Sequence, residues 1–208
     1  MKLLFATGND MKKTLMQERL KELNNIEIVT PKTLGINIDV LEDGLTPEEN
    51  AMKKAKAYYD ATHMPVIAED SGLYIDKFLE CEQPGLFVKR VNGQEGLSDD
   101  VILKYYLDKL NNYGGESEAC YHTGVCLIDA DGNIYTNVIE ETKFLLTTKV
   151  DTDSVGLSGG VLECISYDLN AQKYFSKRTE EDKKRHYQKL DNEYKKLVKK
   201  YILNKGKI

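Results

Sequence analysis

Along the chain, apolar and polar positions fall into blocks of two periods. Lys2 to Ala6 is a short apolar run that reads as a strand, Thr7-Gly8-Asn9 reads as a turn, and Asp10 to Leu23 as a helix. Ile26 to Val29 is a second short strand. Thr46-Pro47-Glu48-Glu49 carries the marks of a helix start: Thr at the N-cap, Pro at the first helical position, and Glu three residues after the Thr to complete a capping box. That helix should run to about Asp60, because Ala51, Ala55 and Tyr58/Tyr59 share one face. Pro65 precedes a buried strand at Val66 to Ala68, after which Asp70 is expected at a strand end before a Ser71-Gly72 turn. Ser98-Asp99-Asp100 opens another helix and sets its acids at the positive end of the helix dipole.

The next stretch has strand character. Tyr121, Thr123, Val125 and Leu127 alternate, Asp131-Gly132-Asn133 is a hairpin turn, and a return strand is expected from Ile134 to about Leu146. A less regular segment with Ser158-Gly159-Gly160 leads to a strand near Val161 to Tyr167. Tyr187, Leu190, Tyr194, Leu197 and Tyr201 then recur at steps of 3, 4, 3, 4, which is the apolar face of a long C-terminal helix. No linker, repeat or low-complexity segment interrupts the chain, so residues 1–208 are expected to form one domain. Helices mixed with strands, one of them in an evident hairpin, predict an α/β fold around a mixed sheet.

Composition narrows the class. A chain of 208 residues with 41% hydrophobic and 30% charged positions is long enough for its own core and too apolar for disorder. No apolar run approaches the roughly 18 residues of a membrane span. The apolar stretch Leu3-Leu4-Phe5-Ala6 after Met1-Lys2 is too short for a signal sequence, and four cysteines without a CxxC pair suit a reducing compartment. A cytoplasmic protein without a membrane partner is the expectation. The three histidines show no zinc-ligand spacing.

The net charge of −5 is unevenly spread. From Lys177 onward there are 12 basic against 5 acidic residues, whereas the residues before it hold 17 basic and 29 acidic ones. The basic segment coincides with the amphipathic helix, so its lysines read as a solvated face. The acidic remainder would repel a polyanion, which argues against a nucleic-acid partner.

Two features carry candidate chemistry. Thr7, Gly8 and Asn9 stand at a helix N-terminus, where backbone N–H groups suit phosphate oxygens, and Lys12 lies one turn in. Taken alone this is equally a tight turn with a solvated lysine, since it lacks the glycine spacing of a P-loop or a dinucleotide fold. The second feature is acidic: Glu42-Asp43-Gly44 and Glu69-Asp70-Ser71-Gly72. A carboxylate pair suits Mg²⁺, although Asp and Gly are equally common in turns.

Together the motifs are far more specific. Ala6-Thr7-Gly8-Asn9, Lys12, Glu42-Asp43-Gly44-Leu45-Thr46, Glu49-Asn50-Ala51, Lys54-Ala55, Glu69-Asp70-Ser71-Gly72-Leu73 and Pro84-Gly85 occur in an order and spacing that resembles the HAM1/inosine triphosphate pyrophosphatase family over roughly residues 1 to 90. The resemblance implies an elongated, twisted mixed sheet flanked by helices, with two lobes and a central cleft. It implies a Mg²⁺-dependent homodimer that cleaves non-canonical purine triphosphates (ITP, dITP, XTP) to the monophosphate and pyrophosphate. By this similarity Thr7, Gly8, Asn9 and Lys12 hold the phosphates and Ser71 adds a substrate contact. Asp70 is the base that deprotonates the attacking water, and Glu42 and Asp70 are the metal carboxylates.

The C-terminal half departs from the family pattern. Where the family has a GFGYDP-like segment that builds the base pocket, this chain has Ile165-Ser166-Tyr167-Asp168-Leu169, which keeps only Tyr167 and Asp168. The family's serine–histidine–arginine segment is replaced by the neighbourhood of Glu180 to His186, from which Lys183, Arg185 and His186 are the nearest substrate-binding matches. The acid that usually follows the family lysine by three residues is Leu15. Phosphate and metal residues are retained while the base-reading segment is rebuilt. Three readings follow: the family's usual specificity, a pyrophosphatase with altered base preference, or a nucleotide-binding homologue without turnover.

Overall fold

In the computed structural model of this chain the described residues are 1–154 and 160–203. They form strands β1 (Lys2–Phe5), β2 (Glu27–Val29), β3 (Val66–Ile75), β4 (Glu116–Ile128), β5 (Ile134–Glu140), β6 (Phe144–Thr147), β7 (Ser166–Asp168) and β8 (Lys173–Tyr174). The helices are α1 (Asp10–Leu20), α2 (Pro31–Leu34), α3 (Pro47–Thr62), α4 (Asp99–Asn112) and α5 (Glu180–Val198). The strands make one mixed sheet in the order β2-β1-β3-β4-β6-β7-β8, with β5 paired to β4 off that path. β1 is parallel to β2 and β3, while β6 is antiparallel to β4 and β7. The expected α/β class with a mixed sheet is what forms. None of the described helices is long and apolar enough to cross a membrane.

The chain divides into two compact units, the first comprising Met1–Ser71, His122–Ile139 and Lys189–Ile208 and the second Gly72–Tyr121 and Glu140–Gln188. The core of the first unit gathers Leu4, Val29, Ala51, Ala55, Val66 and Cys126. Small residues at 51 and 55 and a glycine at 124 let α3 lie close to the sheet. A Cβ at Gly124 would stand 2.3 Å from the Glu48 nitrogen. The start of α3 is capped much as expected. Thr46 Oγ1 accepts from the Glu49 N–H at 3.3 Å, but the Glu49 carboxylate reaches back to the Leu45 N–H at 2.7 Å rather than to Thr46. The core of the second unit gathers Leu73, Ile75, Ile102, Tyr106, Phe144 and Ile165.

Six sequence expectations are corrected. β3 does not stop at Ala68 but runs to Ile75, so Asp70, Ser71 and Gly72 lie inside a strand and not at its end. Gly72 serves close backbone approach rather than a turn: a Cβ there would meet the Gly85 carbonyl carbon at 3.0 Å, and Leu73 exchanges two 2.9 Å backbone bonds with Gly85. The return strand from Ile134 breaks at residues 141–143 into β5 and β6, both partners of β4. The stretch near 161–167 is a 3₁₀ turn at Glu163–Ile165 followed by short β7. α1 ends at Leu20, three residues early, where a tighter bond from the Leu23 N–H to the Leu20 carbonyl takes over. At the C-terminus Val198 and Ile202 are buried where Leu197 and Tyr201 were expected, and a π-helical turn at Lys199–Leu203 follows α5. Ser158 and Gly159 lie outside the described residues.

Lys184, Lys189 and Lys196 of α5 are exposed, as read, while Lys183 and Lys195 are partly covered. Lys195 pairs with Glu22, and Lys183 with Glu180.

Candidate active site

In the first unit, β1 ends at Phe5 and the chain turns into α1 through Thr7, Gly8 and Asn9. Asn9 caps the helix: its side-chain oxygen accepts from the N–H groups of Met11 at 2.9 Å and Lys12 at 3.3 Å. The Asn9 N–H in turn donates to Thr7 Oγ1. The N–H groups of Asn9, Met11 and Lys12 are thus engaged within the turn itself. Gly8 is the open point of the turn, since a Cβ there would meet nothing within 4 Å. A concavity of about 230 Å³ lies here, lined by Thr7, Gly8, Asp39, Glu42, Lys54 and Tyr58. Burial, followed by the Glu42 charge, pushes the Tyr58 phenol up.

Asp70 enters from β3. Its Oδ2 accepts from Asn50 Nδ2 at 2.9 Å and its Oδ1 from the Ser71 N–H at 3.0 Å. Asn50 is buried, and its own Oδ1 accepts from the Gly44 N–H at 2.8 Å. One amide therefore ties the Glu42–Gly44 loop to Asp70. Lys54, only 13% exposed, lies four residues after Asn50, one turn further along α3. Its Nζ is 3.0 Å from Glu42 Oε2 and 3.9 Å from Asp70 Oδ1. Ser71 Oγ shares a 2.7 Å hydrogen bond with Thr123 Oγ1, which engages its hydroxyl within the sheet.

Glu42 and Asp70 thus converge on a single cation, here the ammonium of Lys54. Two carboxylates beside open space are the donor set that Mg²⁺ takes together with waters and phosphates, so these residues fit such an ion. Among the described residues no group of three or more His, Cys, Asp or Glu side chains converges to hold a metal.

The second unit holds a larger, mainly apolar cavity of about 370 Å³ whose rings are Tyr121, Phe175 and Tyr187, with Lys89 and Glu163 among its polar lining. Burial, then the charge of Glu141, pushes the Tyr121 phenol up to about 12, so it stays protonated. Arg178 stacks on Phe175 with its guanidinium carbon 3.6 Å from the ring centroid.

The sequence-selected residues of this unit are only partly at that cavity. Asp168 and His186 are buried behind it: Asp168 Oδ2 lies 3.2 Å from His186 Nδ1 and 3.6 Å from Arg178 Nη1, and Asp168 Oδ1 accepts from the Asn170 and Ala171 N–H groups. His186 packs edge-on against Phe175 and Tyr187. Tyr167 packs on Tyr174, Lys183 pairs with Glu180 and Arg185 with Glu181, none of them among the lining residues. Sequence reading missed Lys54 as a site residue, although it stood in the motif string. It also missed Tyr121, Phe175 and Tyr187. Tyr187 offered a signal, being an aromatic that begins the apolar face of α5 beside His186, whereas nothing local marks Phe175.

The comparisons with known proteins agree with the first-half motifs. The dITP/XTP pyrophosphatase of Leptospira biflexa is 33% identical over 181 residues, covering 87% of each chain. That of Treponema denticola is 40% identical over 131 residues, 62% of this chain, and the matched part spans 65% of the relative's length. The solved structure of the Staphylococcus aureus Ham1 protein superposes with a TM-score of 0.74 over 96% of this chain and 98% of its own, at 22% identity, which is a likeness of fold. A model of the Ham1 family matches residues 3–153. Nearly three quarters of the chain, with the turn at Thr7 and the Glu42, Asn50, Lys54 and Asp70 cluster inside it, carries that family's pattern, and the chain belongs to the Ham1 family.

Proposed function

We propose that this protein is a Mg²⁺-dependent nucleoside triphosphate pyrophosphatase acting on non-canonical purine nucleotides (dITP, ITP and XTP) and releasing the monophosphate and pyrophosphate. The observation that carries this is the meeting of Glu42 and Asp70 at Lys54, with Asn50 bonded to Asp70, next to a concavity that Glu42 and Lys54 line together with Thr7 and Gly8. Relatives named for dITP and XTP supply the substrate class.

In this reading Thr7, Gly8, Asn9 and Lys12 hold the triphosphate, and Ser71 stands beside it. Asp70 takes the proton from a water that attacks the α phosphorus. The bond from that phosphorus to the bridging oxygen breaks, and pyrophosphate leaves with the electron pair. Asn50 holds Asp70 Oδ2, which sets the direction of the carboxylate. Lys54 and Lys12 bring positive charge to where negative charge grows, and stabilisation of this kind dominates phosphoryl-type transfer. Glu42 and Asp70 would hold Mg²⁺, which when bound supplies further charge against the polyphosphate.

The second unit's own cavity carries aromatic faces, Tyr121, Phe175 and Tyr187, of the kind on which a purine stacks. His186, paired with Asp168, packs edge-on against Phe175 and Tyr187 of that cavity, and on the resemblance alone Tyr167, Asp168, Lys183, Arg185 and His186 are kept as substrate-binding residues. A second reading, altered base preference, is favoured by one observation: Ile165, where the resemblance expects the stacking phenylalanine, is fully buried in the core. The proposal also includes a single two-lobed catalytic domain, a homodimer and a cytoplasmic setting, which the family resemblance supports.

The test is pyrophosphate release with Mg²⁺ across dITP, ITP, XTP, ATP, GTP, dUTP and CTP. Selective turnover of the first three, lost on Asp70→Asn, is the expected result. Selective turnover of another nucleotide supports the second reading, and silence across the panel overturns both.

A further inference from the structure

Lys12 is not a free lysine. Its Nζ lies 3.3 Å from Glu69 Oε1, and Glu69 is itself buried. Strand alternation turns Glu69 to the face of β3 opposite Asp70, so one dipeptide serves two places: Asp70 faces Asn50 and Lys54, and Glu69 faces α1 and the second half of α5. There the fully buried Tyr194 donates its O–H to Glu69 Oε2. Arg19 brings Nη1 to 3.9 Å of the same oxygen, lies 5.1 Å over the Tyr194 ring, and is fixed by Asp191 Oδ1 at 2.8 Å.

We propose that Glu69, braced by Tyr194 and by the Arg19–Asp191 pair, is a positioning residue that holds the Lys12 ammonium for the substrate's phosphates. This rests on the reading of Lys12 as a phosphate-binding residue. A lysine stem carries close to 2 kcal/mol of rotamer entropy, so an unheld Lys12 would lose that freedom on binding. An ammonium has three N–H donors, and one pointed at Glu69 leaves two for phosphate oxygens. The charge of Glu69 is partly offset by Arg19, so its hold on Lys12 need not repel the incoming polyphosphate. The acid expected three residues after Lys12 is absent, Leu15 standing there about half exposed. Glu69 supplies a partner from another element. Tyr194 and Asp191 lie beyond residues 3–153, so the brace comes from a part of the chain outside the family match.

The experiment is a double-mutant cycle on the full chain, with Lys12→Met, Glu69→Gln, both together, and Tyr194→Phe, read by calorimetric binding of inorganic pyrophosphate in the presence of Mg²⁺ and by separate kcat and KM for dITP. Glu69→Gln should weaken pyrophosphate about fivefold and raise KM with little change in kcat, and Tyr194→Phe should do the same about twofold, the sizes expected of one partly exposed charge pair and one hydrogen bond. In the Lys12→Met background neither change should weaken binding further. Effects that multiply in the double mutant, unchanged binding in Glu69→Gln, or tighter binding because Glu69 was a competitor would each overturn the positioning role. A Lys12→Met protein that binds pyrophosphate like wild type would overturn the phosphate reading of Lys12, and the proposal with it. If Glu69→Gln does not fold, Tyr194→Phe keeps the ring in the core and decides alone: a weakening absent from the Lys12→Met background supports the role, and wild-type binding overturns it.

Discussion

The amide of Asn50 donates to Asp70 Oδ2 at 2.9 Å, and it does so from a buried side chain whose oxygen is already taken by the Gly44 N–H. An amide has a fixed separation of donor and acceptor, so this bond sets the distance between the Glu42 loop and the strand that carries Asp70. The carboxylate proposed as the base is directed by a neutral group, which in that proposal leaves the charges of Lys54, Glu42 and Asp70 to act on substrate.

Asn50→Ala removes both bonds at once. It leaves a buried N–H at Gly44 without its acceptor, and a loss of about 1–3 kcal/mol in chemical denaturation is expected. Pyrophosphate release should fall with it, because Glu42 is then no longer tied to Asp70. A variant with full stability and full activity would show that the bond is incidental.

Asp70→Asn keeps the shape of the side chain and removes its basicity. Turnover of dITP should drop by at least about 100-fold, the usual contribution of a positioned base, while the melting temperature stays near wild type. Chelation of Mg²⁺ should abolish release and its return restore it. Glu42→Gln should shift the Mg²⁺ titration to higher concentration. A Glu42→Gln enzyme with an unchanged titration would remove Glu42 from the metal set.

Tyr187→Leu removes an aromatic face from the second unit's cavity but keeps apolar volume next to His186. If that face stacks on a base, KM for dITP should rise roughly 5- to 100-fold, the range of one base–aromatic stack. Binding of inorganic pyrophosphate should not change. Equal losses for both ligands would point to a folding defect instead.

The buried cluster of Asp168, Arg178 and His186 gives a pH dependence with a definite sign. Burial, with the Arg178 charge acting the same way, lowers the His186 pKa from its ordinary 6.5, and Asp168 opposes this only in part. The unfolded chain therefore takes up a proton more readily than the folded one. Stability is fully present above about pH 6.5 and is lost as pH falls below it toward the folded pKa. Denaturation midpoints at pH 7.5 and 5.5 should differ, and His186→Gln should reduce the difference. A midpoint that rises on acidification would contradict this sign.

Gly124→Ala should destabilise the first unit by about 1–3 kcal/mol or more, as overpacking does, because its Cβ would stand 2.4 Å from the Pro47 carbonyl carbon in the first turn of α3. Thermal melts of the two proteins measure it directly.

Much of this was legible in the linear chain because the signals are local. A Thr-Pro-Glu-Glu run starts a helix by satisfying its own N–H groups, alternation marks β4, and the order of short motifs around Thr7, Glu42 and Asp70 identifies the family. The amino-acid order also separated an intact phosphate half from a rebuilt C-terminal half. What escaped it were relations between side chains far apart in the chain. Ser71-Gly72 resembled a turn, yet Gly72 lies within a strand because Gly85 comes against it. Asp168 and His186 stood out in the chain only as matches to the base-reading segments, and packing is what buries both, with His186 edge-on to Phe175 and Tyr187. Lys12 resembled an isolated cation until Glu69, Arg19 and Tyr194 were brought to it across as many as 182 residues of chain. Periodicity and capping depend on neighbours a few residues away, so the chain alone determines them. Burial and charge pairing depend on which distant groups exclude water together, and only the folded arrangement decides that.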